Sequence, residues 1–169
     1  MNTKIRRVCL NTLLWLALIA IDQYTKHLAV KYLKDQTDIV IFKGVFQLTY
    51  LENSGAAFGM LQNRLILFVI IAVAMLMVVI YLLIRMPLSK RYYLLNFILL
   101  LIASGAVGNL IDRVMNNYVV DFFNFSLINF PVFNVADIYV TVACILMLIA
   151  VFFVYSEEEL FFYKNHNEE

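Results

Sequence analysis

The sequence has few charged residues. Charged side chains make up 15% of the 169 residues, while hydrophobic side chains make up 63%. A soluble domain is nearer half apolar and a quarter charged. A core built from so short a chain cannot enclose this much apolar surface, so lipid must cover the remainder. We therefore expect one integral membrane domain over residues 1–169.

The sequence also lacks an excess of charge and a set of cysteines. The net charge is +1 and the basic residues are scattered, which argues against nucleic-acid binding. Cys9 and Cys144 have no neighbour at metal-ligand spacing and make no disulfide framework. We expect both to be buried apolar residues.

Long uncharged runs are abundant. A membrane-spanning helix needs roughly 20 apolar residues. Three runs approach that length: Leu65 to Ile84, Leu94 to Ile111 and Ile138 to Tyr155. A shorter run, Val8 to Ile21, reaches it by continuing past Asp22. The prediction is an all-α membrane protein with four transmembrane helices, at about 8–28, 65–84, 94–113 and 137–155.

The first run resembles a secretory signal peptide because it has a basic start. No small-residue cleavage site follows its apolar centre, and Cys9 precedes that centre where a lipid-modified cysteine would follow it. We therefore expect an uncleaved first helix.

Basic residues predict the orientation, because they favour the cytoplasmic side. Helix 1 is preceded by Lys4, Arg6 and Arg7, and the short connection between helices 2 and 3 holds Arg85, Lys90 and Arg91. Both termini are then cytoplasmic. The first outer segment fits less well, since it carries Lys31, Lys34, Lys43 and Arg64.

The two outer segments do not resemble ordinary loops. Ile39 to Leu51 is rich in β-branched and aromatic residues around Gly44, which predicts a short hairpin or small sheet extending to about residue 59. Tyr118 to Pro131 is aromatic and amphipathic, typical of a surface-lying segment or of an interfacial aromatic belt. We hypothesise that both clamp a substrate, so that polar substitution of Phe122 or Phe58 weakens processing without unfolding.

Polar residues gather at the outer ends of three helices. They are Asp22 on helix 1, Asn109, Asp112 and Arg113 on helix 3, Asp121 in the outer segment, and Asn134 and Asp137 at helix 4. Ionisable groups at membrane depth are costly and indicate function.

Each of these residues also has a structural interpretation. Asp22 could pair with Lys26 at i+4, and Asp137 could cap helix 4. Asn134 could be a turn residue, and Asp112-Arg113 could be an interfacial helix end.

The residue types restrict the chemistry. The two histidines, His27 and His166, lie beside no Ser or Cys nucleophile, and the polar set contains no His or Cys ligand for zinc. A carboxylate-only magnesium or calcium site is an alternative. Two neighbouring carboxylates can instead share one proton. One then activates water while the other polarises a carbonyl, without a cofactor.

Five sequence blocks resemble those of the lipoprotein signal peptidase (type II signal peptidase) family. They are Asp22-Gln-Tyr-Thr-Lys26, Asn53-Ser-Gly-Ala-Ala-Phe-Gly59, Gly105-Ala-Val-Gly-Asn-Leu-Ile-Asp-Arg113, Val119-Val-Asp-Phe-Phe123 and Phe133-Asn-Val-Ala-Asp137. Any one block is weak, but all five in this order among four helices are specific.

The resemblance implies a site and a substrate. Asp121 and Asp137 would be the catalytic pair, with Asn53, Asn109, Arg113 and Asn134 holding that pair and the substrate. Asp22 and Ala136 would support the site, and Gly105 and Gly108 would allow close packing. The substrate would be a bacterial prolipoprotein, cut just before a cysteine that bears diacylglycerol.

The same resemblance implies inhibition by globomycin. A carboxylate pair needs no metal or other cofactor, and four helices with one complete site require no obligatory protein partner. The resemblance places the protein in the bacterial cytoplasmic membrane, in contact with lipid, with its site near the outer leaflet. The alternative is a small four-helix transporter or a structural membrane subunit. Transporters place acids near the bilayer midplane, whereas here they cluster at one edge.

Overall fold

Four long helices form the body of the protein. The computed structural model describes residues 3–55 and 65–162. The long helices are α1 (Thr3–Leu33), α2 (Leu65–Arg85), α3 (Tyr93–Asn116) and α4 (Val135–Ile149). A 3-10 turn at Lys90–Tyr92 precedes α3, a π-helical turn at Ala150–Val154 extends α4, and a short α5 follows at Glu157–Leu160.

Helix α3 is the centre of the bundle. It contacts α1, α2 and α4. Its buried residues include Ile98, which is fully enclosed, and the small residues Ala103, Ser104 and Gly105. Helix α2, in contrast, buries a single residue among those described, Val79. The outer helices therefore present apolar side chains that require lipid.

Three helices of the described chain are long and apolar enough to cross a membrane, namely Leu65–Arg85, Lys90–Asn116 and Val135–Val154. Four spans were predicted, and α1 is not among the three. The physical reason lies in its sequence. Its uncharged run, Val8 to Ile21, is shorter than the roughly 20 residues of a full span, and polar side chains occupy both of its ends.

The cysteines correct a second expectation. Cys9 on α1 and Cys144 on α4 are free and exposed on the protein surface, not buried. The prediction of burial was wrong because it assumed water around the fold. Lipid is as apolar as a side chain, so it supplies no hydrophobic force that drives such residues into contacts between helices.

A three-stranded antiparallel sheet lies at one end of the helices. Its strands are β1 (Ile39–Phe42), β2 (Phe46–Asn53) and β3 (Val119–Asn124), in the order β1-β2-β3. Gly44, with φ +72°, forms the β1–β2 turn. The predicted hairpin is confirmed for the described part, while residues 56–59, including Phe58, lie outside the described residues.

Strand β3 replaces the surface segment that was predicted for Tyr118 to Pro131. Val120 and Phe122 pack against Ala29 and Leu33 from the end of α1. The apolar residues on both sides of Asp121 form a strand because α1 covers one face of it while β2 pairs with its edge. Phe122 is only 5% exposed, so it belongs to a core and is unsuitable for testing a surface clamp.

Polar contacts close the opposite end of the bundle. The guanidinium of Arg7 donates to Asn96 Oδ1 at 3.2 Å, and Asn11 and Asn96 exchange amide hydrogen bonds at 2.8 and 2.9 Å. Arg91 pairs with Glu159 of α5 at 2.8 Å. These contacts fix the start of α1 and the chain after α4 against the start of α3.

Candidate active site

A cavity of about 480 Å³ lies between the sheet and the helix ends. Asp121 of β3 and Asp137 from the first turn of α4 both line it. The other polar lining comes from Asn53, Asn109, Arg113 and Thr141. The rest of the wall is largely apolar: Val119, Phe130, Pro131, Val132, Phe133, Ile138, Val140 and Val142. This combination suits an extended peptide with apolar side chains and a few polar contacts.

Asp121 is enclosed, with only 2% of its surface exposed. Strand pairing places it opposite Leu51 of β2. Its Oδ2 accepts a hydrogen bond from Asn53 Nδ2 at 2.8 Å, and its Oδ1 accepts one from Asn134 Nδ2 at 2.6 Å. Two amides from separate elements therefore fix the orientation of this carboxyl group.

Burial raises the pKa of Asp121 to about 7, and the negative charge of Asp137 adds to the rise. The hydrogen bonds from Asn53 and Asn134 oppose it, as does the positive charge of Lys26. A carboxyl group with this pKa is about half protonated at neutral pH. It can therefore act as an acid in the pH range where an ordinary aspartic acid is fully ionised.

Asp137 occupies the third position of α4 and forms a reciprocal capping box with Asn134. Its Oδ2 accepts from the Asn134 N–H at 3.1 Å, and its own N–H donates to Asn134 Oδ1 at 3.0 Å. The capping interpretation of Asp137 is thus correct. Its second oxygen, Oδ1, faces Asn109 and accepts from Nδ2 at 2.8 Å, so capping leaves this oxygen on the cavity side.

Two asparagines connect the aspartates. Asn134 Nδ2 donates to Asp121 and also to Asn109 Oδ1, the latter at 3.1 Å. Asn109 in turn donates to Asp137. The resulting chain of amides links the two carboxyl groups across three elements, β3, α3 and α4.

A charged cluster lies behind this amide chain. The ammonium of Lys26 lies 3.0 Å from Asp22 Oδ2 and 3.1 Å from Asp112 Oδ2. All three residues are at most 3% exposed. Gln23 joins them by donating to Asp22, to Asp112 and to the Gly108 carbonyl. The i+4 pairing of Asp22 with Lys26 was anticipated, but the participation of Gln23 and Asp112 was not.

The glycines of α3 permit close helix contacts. A Cβ on Gly108 would overlap the carboxylate of Asp22, and a Cβ on Gly105 would lie 2.6 Å from both the Ala136 carbonyl oxygen and Val140 Cγ2. Ala136 is fully buried, and its N–H donates to Asp22 Oδ1 at 2.9 Å. The start of α4 therefore rests directly on α1 and α3.

Arg113 is half-buried in the cavity wall. Its guanidinium lies 4.7 Å from the centre of the Phe68 ring, an arrangement in which the ring face attracts the cation. Across residues 3–55 and 65–162, no group of three or more His, Cys, Asp or Glu side chains is placed to hold a metal ion.

Known proteins share this sequence and fold. The family model described as signal peptidase (SPase) II matches residues 14–153. A lipoprotein signal peptidase of Caldanaerobacter subterraneus subsp. tengcongensis is 48% identical over 130 residues, which is 76% of this chain and 86% of the relative. One of Brevibacillus brevis is 44% identical over 135 residues, covering 80% of this chain and 89% of the relative.

A solved bacterial membrane enzyme, determined by the in meso method at 1.9 Å, has a TM-score of 0.74 to this structure at 28% identity. The match covers 88% of this chain and 96% of that one. A second, at 2.3 Å, gives the same TM-score at 29% identity and covers 85% and 87%.

Fold and cavity together define a helical membrane protein with an enclosed acidic site at one end of its helices. The chain belongs to the signal peptidase II family, and it is therefore a membrane-bound peptidase of bacterial type.

Proposed function

We propose that this chain is an aspartic endopeptidase that removes the signal peptide from diacylglyceryl-modified prolipoproteins. The observation that carries the proposal is the placement of Asp121 and Asp137 on one largely apolar cavity, joined by asparagine side chains. The names of the curated relatives support this substrate class.

The proposed mechanism needs one proton on the pair of aspartates. Asp121, whose pKa is raised to about 7, carries that proton and donates a hydrogen bond to the substrate carbonyl oxygen. Asp137 takes a proton from water as the water oxygen attacks the carbonyl carbon. Asp137 then passes this proton to the nitrogen of the resulting tetrahedral intermediate, the C–N bond breaks and the new amine leaves, which restores the Asp137 carboxylate.

The remaining polar side chains assist this reaction. Asn53 and Asn134 hold Asp121, and Asn109 holds Asp137. Arg113 provides a positive charge in the cavity wall for the substrate backbone. Asp22, Gly105 and Ala136 set the contact of α4 with α1 and α3, as their packing distances indicate.

We propose α1 as the fourth membrane span, which makes residues 1–169 one membrane domain. Its exposed face between Leu10 and Ile21 is apolar, with Leu13 at 65% and Leu16 at 53% exposure. Water would be a poor solvent for such a surface, and α1 runs beside the central helix α3. The span would include Asp22, which is neutralised by its buried pairing with Lys26.

The basic residues at the starts of α1 and α3 favour a cytoplasmic location for both termini. The sheet and the cavity then lie near the outer leaflet. A peptide whose signal helix and lipid tails stay in the bilayer would meet the aspartates there. Globomycin-type inhibitors would occupy the same cavity, and no protein partner is needed for the site.

The direct test is cleavage by the purified protein in detergent. The substrate is a diacylglyceryl-modified prolipoprotein, beside the same precursor without lipid. Mass spectrometry should show cleavage of the bond just before the modified cysteine, and the lipid-free precursor should remain whole. Equal cleavage of both precursors would refute the lipid requirement. No cleavage by folded protein would refute the proposal.

A further inference from the structure

Two buried carboxylates outside the aspartate pair hold the residues that immediately precede it. Asp22 Oδ1 accepts from the N–H of Ala136, the neighbour of Asp137, at 2.9 Å. Asp112 Oδ2 accepts from the N–H of Val120, the neighbour of Asp121, at 3.0 Å. Each segment that carries a site aspartate is thus fixed through one peptide group to a carboxylate on α1 or α3.

Lys26 connects these two carboxylates. An ammonium group has three donors, and three acceptors surround this one. They are Asp22 Oδ2 at 3.0 Å, Asp112 Oδ2 at 3.1 Å and Asn109 Oδ1 at 2.9 Å. The side chain is 4% exposed, so water does not compete for these contacts. A single buried cation therefore sets the relative positions of the two carboxylates.

The third contact of Lys26 orients the Asn109 amide. Because Asn109 Oδ1 faces the ammonium, its Nδ2 points in the other direction and donates to Asp137 Oδ1 at 2.8 Å. If the Asn109 amide were flipped, its Oδ1 would face the Asp137 carboxylate and its Nδ2 would face the Lys26 ammonium. The hydrogen bonds to Asp137 and from Lys26 would then both be lost. Lys26 thereby fixes the contact that Asp137 makes inside the cavity.

We propose that Lys26 is a positioning residue for peptide-bond cleavage, which fixes the placement of Asp121 relative to Asp137 through Asp22, Asp112 and Asn109. The inference rests on the proposed function of the aspartate pair. The described contacts of Lys26 are with these three residues, so it acts through them and is not itself a catalytic residue.

The positive charge of Lys26, in addition to its hydrogen bonds, stabilises the buried pair Asp22 and Asp112. Without it, two carboxylates would be buried close together with no cation between them, a costly arrangement. The charge of Lys26 on α1 also lowers the pKa of Asp121, against the opposite effect of Asp137 on α4. Asp112 and Arg113 on α3 carry charge beside the same cluster, and β2 contributes the neutral Asn53.

Loss of the Lys26 charge should therefore have two effects. Turnover should fall because the aspartates are displaced, and the pH at which activity declines on the alkaline side should rise with the pKa of Asp121. A side chain with a purely structural role would change the folded fraction only. The alkaline limb of the pH profile distinguishes the two roles.

The experiment compares Lys26→Gln with the parent in the detergent cleavage assay, with kcat, KM, pH profile and melting temperature measured on each. The matched control is Lys31→Gln, which changes an exposed lysine on the same helix. We expect Lys26→Gln to lower kcat by about tenfold or more, with a smaller change in KM. The alkaline limb should move up by about half a pH unit or more, and Lys31→Gln should match the parent.

Parent-like kcat, or an unshifted alkaline limb in folded Lys26→Gln, would overturn the positioning role. If that variant does not fold, the double variant Asp22→Asn, Lys26→Gln keeps the net charge of the cluster. Its kcat should still be at least about tenfold lower, and full turnover would overturn the inference. No cleavage by the folded parent overturns the proposed function as well, whereas parent cleavage with full turnover in the variants overturns the role of Lys26 alone.

Discussion

Asn134 and Asp121 are joined by a 2.6 Å hydrogen bond, while the side-chain oxygen of the same asparagine caps α4 by accepting from the Asp137 N–H. One amide thus serves both aspartates. An acidic side chain at this position would lack the N–H donor for Asp121, and an aliphatic side chain would lack both that donor and the oxygen that caps α4. The contact explains how a strand and a helix that are separated by a loop can hold two carboxyl groups in a fixed relation.

Substitution of Asn134 by Ala should therefore impair both aspartates. We expect a loss of about 1–3 kcal/mol in the free energy of unfolding, because a helix cap and a buried hydrogen bond disappear. Cleavage should fall by about tenfold or more beyond the effect on folding. Thermal melting and cleavage rate, measured side by side, separate the two effects. Replacement of exposed Asn116 at the end of α3 by Ala is a comparison that should preserve cleavage.

The stability of the protein should depend on Asp121. Its pKa in the folded state is raised from 3.8 to about 7, so the folded protein binds more protons than the unfolded chain between these values. Stability should fall as pH rises through this window and stay low above it. Asp121→Asn does not titrate, so its stability relative to the parent should increase with pH through this window, by about 1.4 kcal/mol per unit of pKa shift. This gain is offset at every pH by the loss of one hydrogen bond, because Asn has a single acceptor oxygen for the donors of Asn53 and Asn134.

Melting temperatures of the parent and Asp121→Asn at pH 5 and pH 8 check this expectation. The difference in favour of the variant should be larger at pH 8. A difference that does not change with pH would show that Asp121 does not titrate in this range.

Cleavage activity should depend on the protonation of Asp121. The proposed mechanism requires Asp121 to be protonated, so kcat/KM should decline as pH rises above about 7. A profile measured between pH 5 and 9 on the lipid-modified precursor tests this. Constant activity up to pH 9 would mean that the acid in the reaction is another group.

The cavity rim offers a sharper test of substrate clamping than Phe122. Phe130 lines the cavity, is 49% exposed, and packs edge-to-face on Phe133 at 5.7 Å. Phe130→Asp should raise KM by about threefold or more with little change in melting temperature, since apolar contact with the substrate is lost. Leu127→Asp, in the same connection but outside the described cavity lining, is the control. Equal effects of both substitutions would argue against a specific clamp.

A single methyl group added at Gly108 should disrupt the close packing of α3 against α1. The added Cβ would overlap the Asp22 carboxylate, which is tied to Lys26 and Ala136. We expect Gly108→Ala to lose about 1–3 kcal/mol of stability and most of its activity. Gly44→Ala also carries a backbone cost, but it meets no atom within 4 Å. Its specific activity per folded molecule should therefore be retained.

The sequence predicted the polar residues better than their connections. Asp121 and Asp137 stand out because acids are rare in an apolar chain, and the family blocks identify them. The role of Lys26 was not visible, because an i+4 pair looks local until Asp112 from α3 completes it. Side-chain contacts between distant helices have no periodicity in the sequence.

The missed features of the fold have a similar origin. Strand β3 carries apolar residues on both sides of Asp121 without regular alternation, so alternation rules cannot distinguish it from an interfacial segment. Only its pairing with β2 and its packing on Ala29 show that it is a strand. Cys9 and Cys144 were assigned to the interior by rules that hold in water, and their helices expose them because lipid is the surrounding solvent.

The most direct test of the central claim is the cleavage rate of the two aspartate variants. Asp121→Asn and Asp137→Asn should each lose roughly 10³-fold or more in rate while they stay folded. Asp35→Asn, an exposed aspartate in a left-handed turn at φ 58° that asparagine accepts, should cleave at the parent rate. If either Asp121→Asn or Asp137→Asn cleaves at the parent rate, that residue is not part of a catalytic pair and the account is contradicted.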